Sequence, residues 1–259
     1  IIKIVFLLIV LFSILTTLFG IINSSLFQKK IFNFFSKNIN ENHSILLESN
    51  NFYYNIFSNK ISCNFLILDH FQNPMINIPN ISIGFNNNII FSKSDIKINN
   101  VNIENVDFFI NKYESDSITN FELFINKISN ENSTNLDSLY IENINLSISN
   151  FIFQNQLDTI KFNDFSFDLN KINYSNNNGC NIENIFFQKN NSFFASSLNQ
   201  DKSKSKFFVD IIDSKFYLKD FINQKFNNNE FINFSSILSF NKNIFSLENL
   251  NINYNHSFL

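Results

Sequence analysis

The residues that could take part in catalysis or bind a metal are scattered along this sequence. The three histidines, His43, His70 and His256, lie far apart, and only His70 has a carboxylate directly beside it, that of Asp69. A metal centre needs several Cys, His or carboxylate ligands at characteristic spacings, and those spacings do not occur here. We therefore expect His70 to be a turn residue rather than a metal ligand.

Motifs of nucleophilic or acid–base catalysis are not recognisable either. Asp158, Asp164 and Asp168 are close in sequence, but an alternating strand would place such residues on its solvated face. No Ser, Cys or Lys stands in a known nucleophile or base motif. The sequence therefore disfavours an enzyme and gives no indication of a cofactor.

The composition excludes several further classes of protein. Of the 259 residues, 44% are hydrophobic and 17% aromatic, which is too apolar for a chain disordered throughout. The net charge is -3 and every basic residue is Lys, which argues against nucleic-acid binding. The 3 glycines are too few and too dispersed for a phosphate-binding loop. Cys63 and Cys180 could form at most one bridge, which stays open.

A long apolar segment near the start predicts a membrane-spanning helix. Residues 4–22 carry no charge, and at 1.5 Å per residue they would reach about 28 Å, enough to cross a bilayer core. A cleaved secretory signal would be shorter and end in small residues, and a buried core helix is the third alternative. We predict an uncleaved anchor over residues 1–25. Its defining apolar residues are Ile4, Leu7, Leu11, Leu15, Leu18 and Ile22.

The segment after the anchor, residues 26–40, predicts a short amphipathic helix. Its apolar residues recur at spacings of three and four among lysines. This helix would either lie along the membrane surface or cap the start of the next domain, and the sequence favours neither.

From about residue 60 the chain alternates, with one recurring pattern: apolar-x-apolar, two polar residues, apolar-x-apolar. Copies start at residues 96, 139, 160, 180 and 245, with separations near multiples of about 21. The alternation predicts strands with one apolar face, and the polar step predicts a bulge or a tight kink that restores that face. The period predicts one hairpin of two short strands per repeat. Asn runs such as residues 176–178 and 227–229 predict the turns.

One stretch departs from this alternation and predicts a short helix lying on the sheet or against its open end. Thr119 or Asn120 would be its N-cap. The apolar residues with helical spacing are Phe121, Phe124, Ile125 and Ile128.

A membrane anchor followed by repetitive β-structure resembles the AsmA-like and translocation/assembly module TamB proteins of diderm bacteria. Three segments carry the resemblance: the helix after the anchor at residues 27–37, the strand end and turn at Asp69 and His70, and the strands at residues 96–108 followed by the helix start at Asn120. The chain lacks the family's frequent strand glycines, and Asn73 stands near where another Asp is usual. It would correspond to the membrane-proximal part of a longer protein.

The resemblance implies a fold that is mainly β. An N-terminal transmembrane helix would be followed, over residues 41–259, by an elongated antiparallel β-sheet groove (a β-taco) with one or two short helices. The protein would be anchored by a single pass in the bacterial inner membrane, with its bulk in the periplasm. It would act in phospholipid transport to, or assembly of, the outer membrane. Its partners would be phospholipid, the inner membrane and an outer-membrane assembly protein of the BamA/TamA type.

The apolar residues of the repeats would then line a lipid groove. Because each buried methylene contributes about 0.8 kcal/mol, such a trough could shield acyl chains without catalysis. The predicted lining residues are Ile96, Ile98, Val101, Ile103, Ile141, Ile144, Leu146, Ile160, Phe162, Phe165, Phe167, Ile182, Leu247, Leu250 and Ile252. Two alternatives stay open: a sandwich or solenoid whose apolar faces meet each other, and a structural or adhesive, membrane-anchored β-solenoid at the cell surface.

Overall fold

The computed structural model describes residues 20, 24–30, 32–33, 37, 46–49, 51–55, 57–86, 95–129, 138–155, 158–175, 179–201, 206–221, 230–241 and 244–255. The strands of these residues are β1 Leu46–Glu48, β2 Tyr53–Asn55, β3 Lys60–Leu68, β4 Pro74–Phe85, β5 Asp95–Asn111, β6 Ser138–Gln154, β7 Thr159–Ser175, β8 Gly179–Lys189, β9 Ser192–Asp201, β10 Lys206–Tyr217, β11 Phe231–Asn241 and β12 Ile244–Asn255. Helix α1 comprises residues 25–30 and 32–33, helix α2 is Asn120–Ser129, and a 3-10 turn follows β10 at Leu218–Asp220.

All of these strands belong to one open sheet. From β3 to β12, neighbours in sequence are neighbours in the sheet, while β1 and β2 both pair with β3. Pairing is antiparallel except between β5 and β6, which are parallel because α2 lies in the crossover between them. The predictions of a mainly β chain and one long antiparallel sheet are confirmed, with the β5–β6 pair as a parallel exception that the sequence did not predict.

Each repeat of the sequence lies within one strand, not within one hairpin. The copies fall on β5, β6, β7, β8 and β12, and the first three of these strands have 17 residues each. The prediction of two short strands per repeat is therefore wrong. The polar step does not end a strand, because the strand continues through it with a local irregularity.

Several polar steps contain a left-handed residue, and at the steps of β12 and β8 a register shift shows the predicted bulge. Asp164 and Asn249, each the second polar residue of its step, have φ values of 53° and 54°. Between Ile182 and Ile185 the register of β8 against β9 shifts at a further step. A bulge adds one residue to one strand and so returns the apolar side chains on both sides of it to the same face. At Asp164 the register of β7 against β6 is unbroken, so the left-handed residue there makes a kink, not a bulge.

The steps line up across neighbouring strands. Asn143 of β6, Asn170 of β7 and Asn184 of β8 are in register, and Lys171 beside Asn170 is left-handed with φ of 51°. A second line passes through Asn105, which has φ of 57°. The repeat copy at residue 160 belongs to this second line, since the residues that follow Asn105 and Asp164 are joined in register through β6.

Helix α1 caps the beginning of the sheet. The Gln28 side chain is buried, accepts a hydrogen bond from the backbone N–H of Tyr54 at 3.0 Å and donates one to its carbonyl at 3.1 Å. The Phe32 ring lies 5.7 Å from that of Phe52 and 6.2 Å from that of Phe65. These contacts favour the capping alternative for this side of the helix, while Leu26 remains 76% exposed.

Apart from residues 20, 24 and 25, the predicted membrane anchor lies outside the described part of the chain, and so do its six named residues. His43, His256 and the Asn runs at 176–178 and 227–229 also lie outside it. Among the helices that are described, none is long and apolar enough to cross a membrane.

Candidate binding groove

One face of the sheet carries apolar rows that run across the strands. The first row joins residues in register from β5 to β12: Ile98, Ile141, Ile172, Ile182, Leu198, Val209, Leu238 and Leu247. The second row runs from β3 to β9: Cys63, Ile81, Ile103, Leu146, Phe167, Phe187 and Phe194. It ends there because Ser214 is the partner of Phe194 in β10.

The opposite face of β4, β5 and β6 carries polar hydrogen-bonded ladders. Asp107 of β5 accepts hydrogen bonds from Asn77 Nδ2 of β4 at 3.3 Å and from Asn150 Nδ2 of β6 at 2.7 Å. Asn145 Nδ2 donates to Asn102 Oδ1 at 2.9 Å. Ladders of this kind stabilise cross-strand pairs and keep the two faces chemically distinct.

A cavity of about 520 Å³ opens on the apolar face. Its volume lies within the roughly 300–1,000 Å³ of small-molecule sites. Every lining residue except one lysine is apolar. The lining consists of Phe108, Ile110, Phe121, Leu146, Ile148, Phe151, Phe162, Phe165, Phe167, Phe187, Lys189 and Phe221.

Strands β5 to β8 supply most of this lining, and α2 covers one side of it. The helix begins as predicted: Thr119 Oγ1 accepts the Glu122 N–H at 3.1 Å, and the Glu122 carboxylate accepts the Thr119 N–H at 2.7 Å. This reciprocal capping box directs Phe121 and Phe124 onto the cluster around Met75. The Phe121 ring lies 6.5 Å from that of Phe108, edge to face.

Aromatic rings pack at the centre of the cavity wall. Phe165, Phe167 and Phe187 form a triangle with centroid distances of 5.9, 5.8 and 5.2 Å. Phe221, just after the 3-10 turn, lies 6.4 Å from Phe187 and 5.5 Å from Phe216. The wall is therefore rigid aromatic surface contributed by distant parts of the chain.

The sheet has a step beside the cavity. Strands β8 and β9 turn at Asn190 and Asn191, so β8 pairs only with residues 166–175 of β7. Residues 159–165 of β7 pair with β6 but have no partner on the β8 side within the described chain, and Ile160 is 48% exposed. Lys189, the last residue of β8, lies at this step and its Nζ donates to the carbonyl of Asn163 on the unpaired β7 edge.

The predicted lining residues divide into three groups. Leu146, Phe162, Phe165 and Phe167 line the cavity. The second group packs in an adjoining cluster around Cys63 and Ile81 and consists of Ile98, Val101, Ile103, Ile141 and Ile144. Half-buried Ile96 is next to that cluster in sequence, and Ile182 belongs to the first row. Ile160, Leu247, Leu250 and Ile252 are exposed, the last three because β12 is an edge strand of the described sheet.

Several lining residues were not predicted. Ile148 and Phe151 flank two polar residues, as the apolar residues of the repeat do, so this polar step could have indicated both as lining residues. Phe187 ends the copy that starts at residue 180. The sequence carries no signal for Lys189 and Phe221, because the end of a hairpin and a 3-10 turn bring them to the cavity.

The predicted turn at Asp69 and His70 forms a buried polar cluster together with the start of α2. Asp69 Oδ1 accepts the N–H groups of Phe71 and Asn73, both at 2.9 Å. Its Oδ2 accepts from the Tyr113 hydroxyl at 2.5 Å and from Asn120 Nδ2 at 3.2 Å. Asn120 is thus not the N-cap; it is a buried link between α2 and this turn.

His70 lies in the turn, as predicted, and its Nε2 is 2.8 Å from Asp116 Oδ2. Its ring packs 4.3 Å from that of Phe71. No group of three or more metal-ligating side chains occurs among the described residues. The contacts of His70 with Asp116 and Phe71 therefore stabilise the turn.

Two pKa values in this cluster, those of Asp69 and Tyr113, differ from their ordinary values. Burial alone would raise the pKa of Asp69, but the hydrogen bonds from Tyr113, Asn73, Asn120 and Phe71 outweigh it and lower the pKa below 3.8. Burial and the hydrogen bond to Asp69 raise the pKa of Tyr113. Both shifts favour the charged carboxylate accepting from a neutral phenol.

Protein-family models, curated proteins and solved structures, compared with this chain, give no match. The groove and its contacts are therefore the observations on which a function can be argued.

Proposed function

We propose that this chain is a non-enzymatic lipid-conducting protein that holds phospholipid acyl chains on the apolar face of its sheet. The observation that carries the proposal is the pair of continuous apolar rows with the aromatic cavity of about 520 Å³ between strands and α2. In this proposal, residues 4–22 anchor the chain in the inner membrane and the sheet extends into the periplasm. Phospholipid transport to the outer membrane, or outer-membrane assembly with a partner there, would be the role.

The physical support is the cost of leaving such a face in water. A sheet with one apolar face must bury it against another layer or cover it with other apolar material. Among the described residues no second sheet lies on this face, and Leu250, Ile252 and Tyr254 at the β12 end are 50%, 58% and 56% exposed. Acyl chains would cover it without any requirement for a polar constellation.

The direction in which the apolar rows run also supports this role. The rows cross the strands instead of following one of them, so a chain lying in them would pass from strand to strand. Each added strand lengthens such a path by about 4.8 Å. An elongated sheet therefore offers a long path with uniform apolar chemistry.

The experiment is lipid analysis of the full chain purified in mild detergent, with two adjacent substitutions. Phe187→Glu puts a charge into the cavity wall, whereas Phe186→Glu puts it on the opposite face, where Phe186 stacks on Phe193. We expect wild type and Phe186→Glu to retain phospholipid by mass spectrometry and Phe187→Glu to lose most of it. Absence of bound lipid from the wild type, or equal retention by both variants, would contradict the proposal.

The second candidate, an adhesive surface protein built as a β-solenoid, has no specific observation in its favour. Solenoid coils stack with parallel pairing, whereas the strands described here pair antiparallel except β5 with β6. Protease treatment of intact cells distinguishes the two, since a surface protein is digested and a periplasmic one is protected.

A further inference from the structure

We propose that the step beside the cavity is the headgroup site of a bound phospholipid, with the phosphate at Lys189 Nζ and an acyl chain in the cavity. This inference rests on the proposed function and deepens it, because it fixes the orientation of the lipid and the chemistry of its headgroup.

Charge complementarity carries the argument. Lys189 is the one charged residue among the twelve that line the cavity. It is half-buried at the end of β8, and among the described residues it forms no ion pair; the described pairs are His70–Asp116 and Lys171–Glu183. A cation beside apolar aromatic surface matches an amphiphile with an anionic head and an apolar tail.

The hydrogen-bonding capacity of Lys189 supports the same assignment. An ammonium group has three donors, and the described structure uses one of them on the Asn163 carbonyl. Ser192, the register partner of Lys189, is bound to the carboxylate of Asp220, which accepts the Ser192 N–H and hydroxyl at 3.1 and 2.6 Å and Asn190 Nδ2 at 3.3 Å. Asp220 is thereby fixed on the turn, and the remaining Lys189 donors are available to a phosphate.

The step supplies the route for the acyl chain. Phe162 and Phe165 lie on the part of β7 that pairs with β6 but has no described partner on the β8 side, and Phe221 lines the cavity from the chain beyond the β8–β9 turn. A lipid with its phosphate at Lys189 would therefore place its tail between these rings. Ile160, exposed on the same β7 edge, would lie beside the glycerol region.

The test is a competition measured by native mass spectrometry on the full chain in detergent. The probes share oleoyl chains and differ in the head: dioleoyl phosphatidylglycerol, dioleoylglycerol and oleic acid. We expect phosphatidylglycerol to be preferred over dioleoylglycerol about tenfold, as a hydrogen bond to a charged group would give. Lys189→Met should abolish that preference while dioleoylglycerol still binds, and Lys189→Arg should retain it.

Lys161→Met is the matched control, because Lys161 alternates with Phe162 on β7 and is exposed on the other face. If Lys189 served only to satisfy the β7 edge, its loss would change stability but not headgroup preference. Lipid binding without a Lys189-dependent preference would overturn this inference and leave the proposed function standing. A Lys189-dependent preference for oleic acid would overturn the phospholipid assignment. Binding of no probe by the wild type would overturn both.

Discussion

Asn120 Nδ2 donates a hydrogen bond of 3.2 Å to Asp69 Oδ2, and the two residues are 51 positions apart in the chain. The same carboxamide donates to the Phe109 carbonyl at 3.2 Å and accepts the Asn111 N–H at 3.0 Å. One buried side chain therefore ties α2 both to the end of β5 and to the turn between β3 and β4. Because α2 carries Phe121 into the cavity, this link positions one wall of the groove.

Asn120→Asp should destabilise the protein. The substitution keeps the shape of the side chain but sets a second carboxylate against Asp69 and removes the donor to Phe109. We expect a loss of at least about 2 kcal/mol in the free energy of unfolding, measured by urea denaturation. Asn181→Asp, at an exposed position on β8 between Asn173 and Asn199, is the control and should change stability by less than about 0.5 kcal/mol. Equal effects of both substitutions would contradict a special role for the link.

Asp69 should make stability depend on pH in the acid range. Its folded-state pKa lies below the ordinary value of 3.8, so its stabilisation is fully present above that value and is lost as pH falls through the folded pKa. At pH 7 we expect Asp69→Asn to be less stable than wild type by about 1.5–3 kcal/mol. That difference should narrow below about pH 4. A difference of the same size at pH 7 and pH 2.5 would show that the charge of Asp69 is not what stabilises the cluster.

Local chemistry made part of this fold predictable. Thr119 followed three positions later by Glu122 is a capping signature that acts within one turn, and α2 begins there. The polar steps predict bulges or tight kinks because two successive polar residues break the alternation, and Asp164 (a kink) and Asn249 (a bulge) restore it by adopting left-handed backbone. Asn and Asp tolerate that conformation better than other non-glycine residues, so the pattern persists with few glycines.

What the sequence leaves undetermined is which residues meet at long range. Antiparallel and parallel pairing of β5 with β6 are compatible with the same alternation, and only the crossover containing α2 distinguishes them. The wrong prediction of one hairpin per repeat also arose because long-range pairing was unknown. In sequence, a two-residue polar step within a strand looks the same as a two-residue turn between strands. Lys189 and Phe221 reach the cavity through the lengths of β8 and β10, which no local pattern sets.

The left-handed residue Asp164 provides a test of the kink in β7. Asp164 has φ of 53°, a conformation that costs a non-glycine residue roughly 1–2 kcal/mol and a β-branched one more. Asp164→Gly should therefore be close to neutral, whereas Asp164→Val should lower the unfolding free energy by about 2 kcal/mol. Asp168→Val, on the same strand without positive φ, controls for the change in polarity. Similar costs for the two valine variants would argue against a left-handed backbone at Asp164.

The apolar face should contribute to stability very unevenly. Met75 is 1% exposed and packs with Val106 and Ile148, while Ile252 on β12 is 58% exposed. Met75→Ala should cost about 2–5 kcal/mol because it leaves a cavity, and Ile252→Ala should cost less than about 0.5 kcal/mol. Thermal denaturation in lipid-free detergent measures both. If lipid covers the β12 end, added phospholipid should raise the melting temperature of wild type and Ile252→Ala alike. A large loss of stability in Ile252→Ala without lipid would mean that Ile252 is already covered by other apolar groups.

The two cysteines should differ sharply in reactivity. Both are free thiols; Cys63 is buried in the second row and Cys180 is half-buried at the start of β8. Burial raises the pKa of Cys63 to about 12, and burial also raises the pKa of Cys180. Because the thiolate is the reactive form, Cys63 should stay nearly unreactive toward a maleimide at pH 8 and gain reactivity about tenfold per pH unit, while Cys180 reacts first. Labelling of the single-cysteine variants Cys63→Ala and Cys180→Ala, followed by mass spectrometry in native buffer and in urea, measures each rate. Equal rates in the native state, or a Cys63–Cys180 disulfide, would contradict the positions of these residues in the sheet.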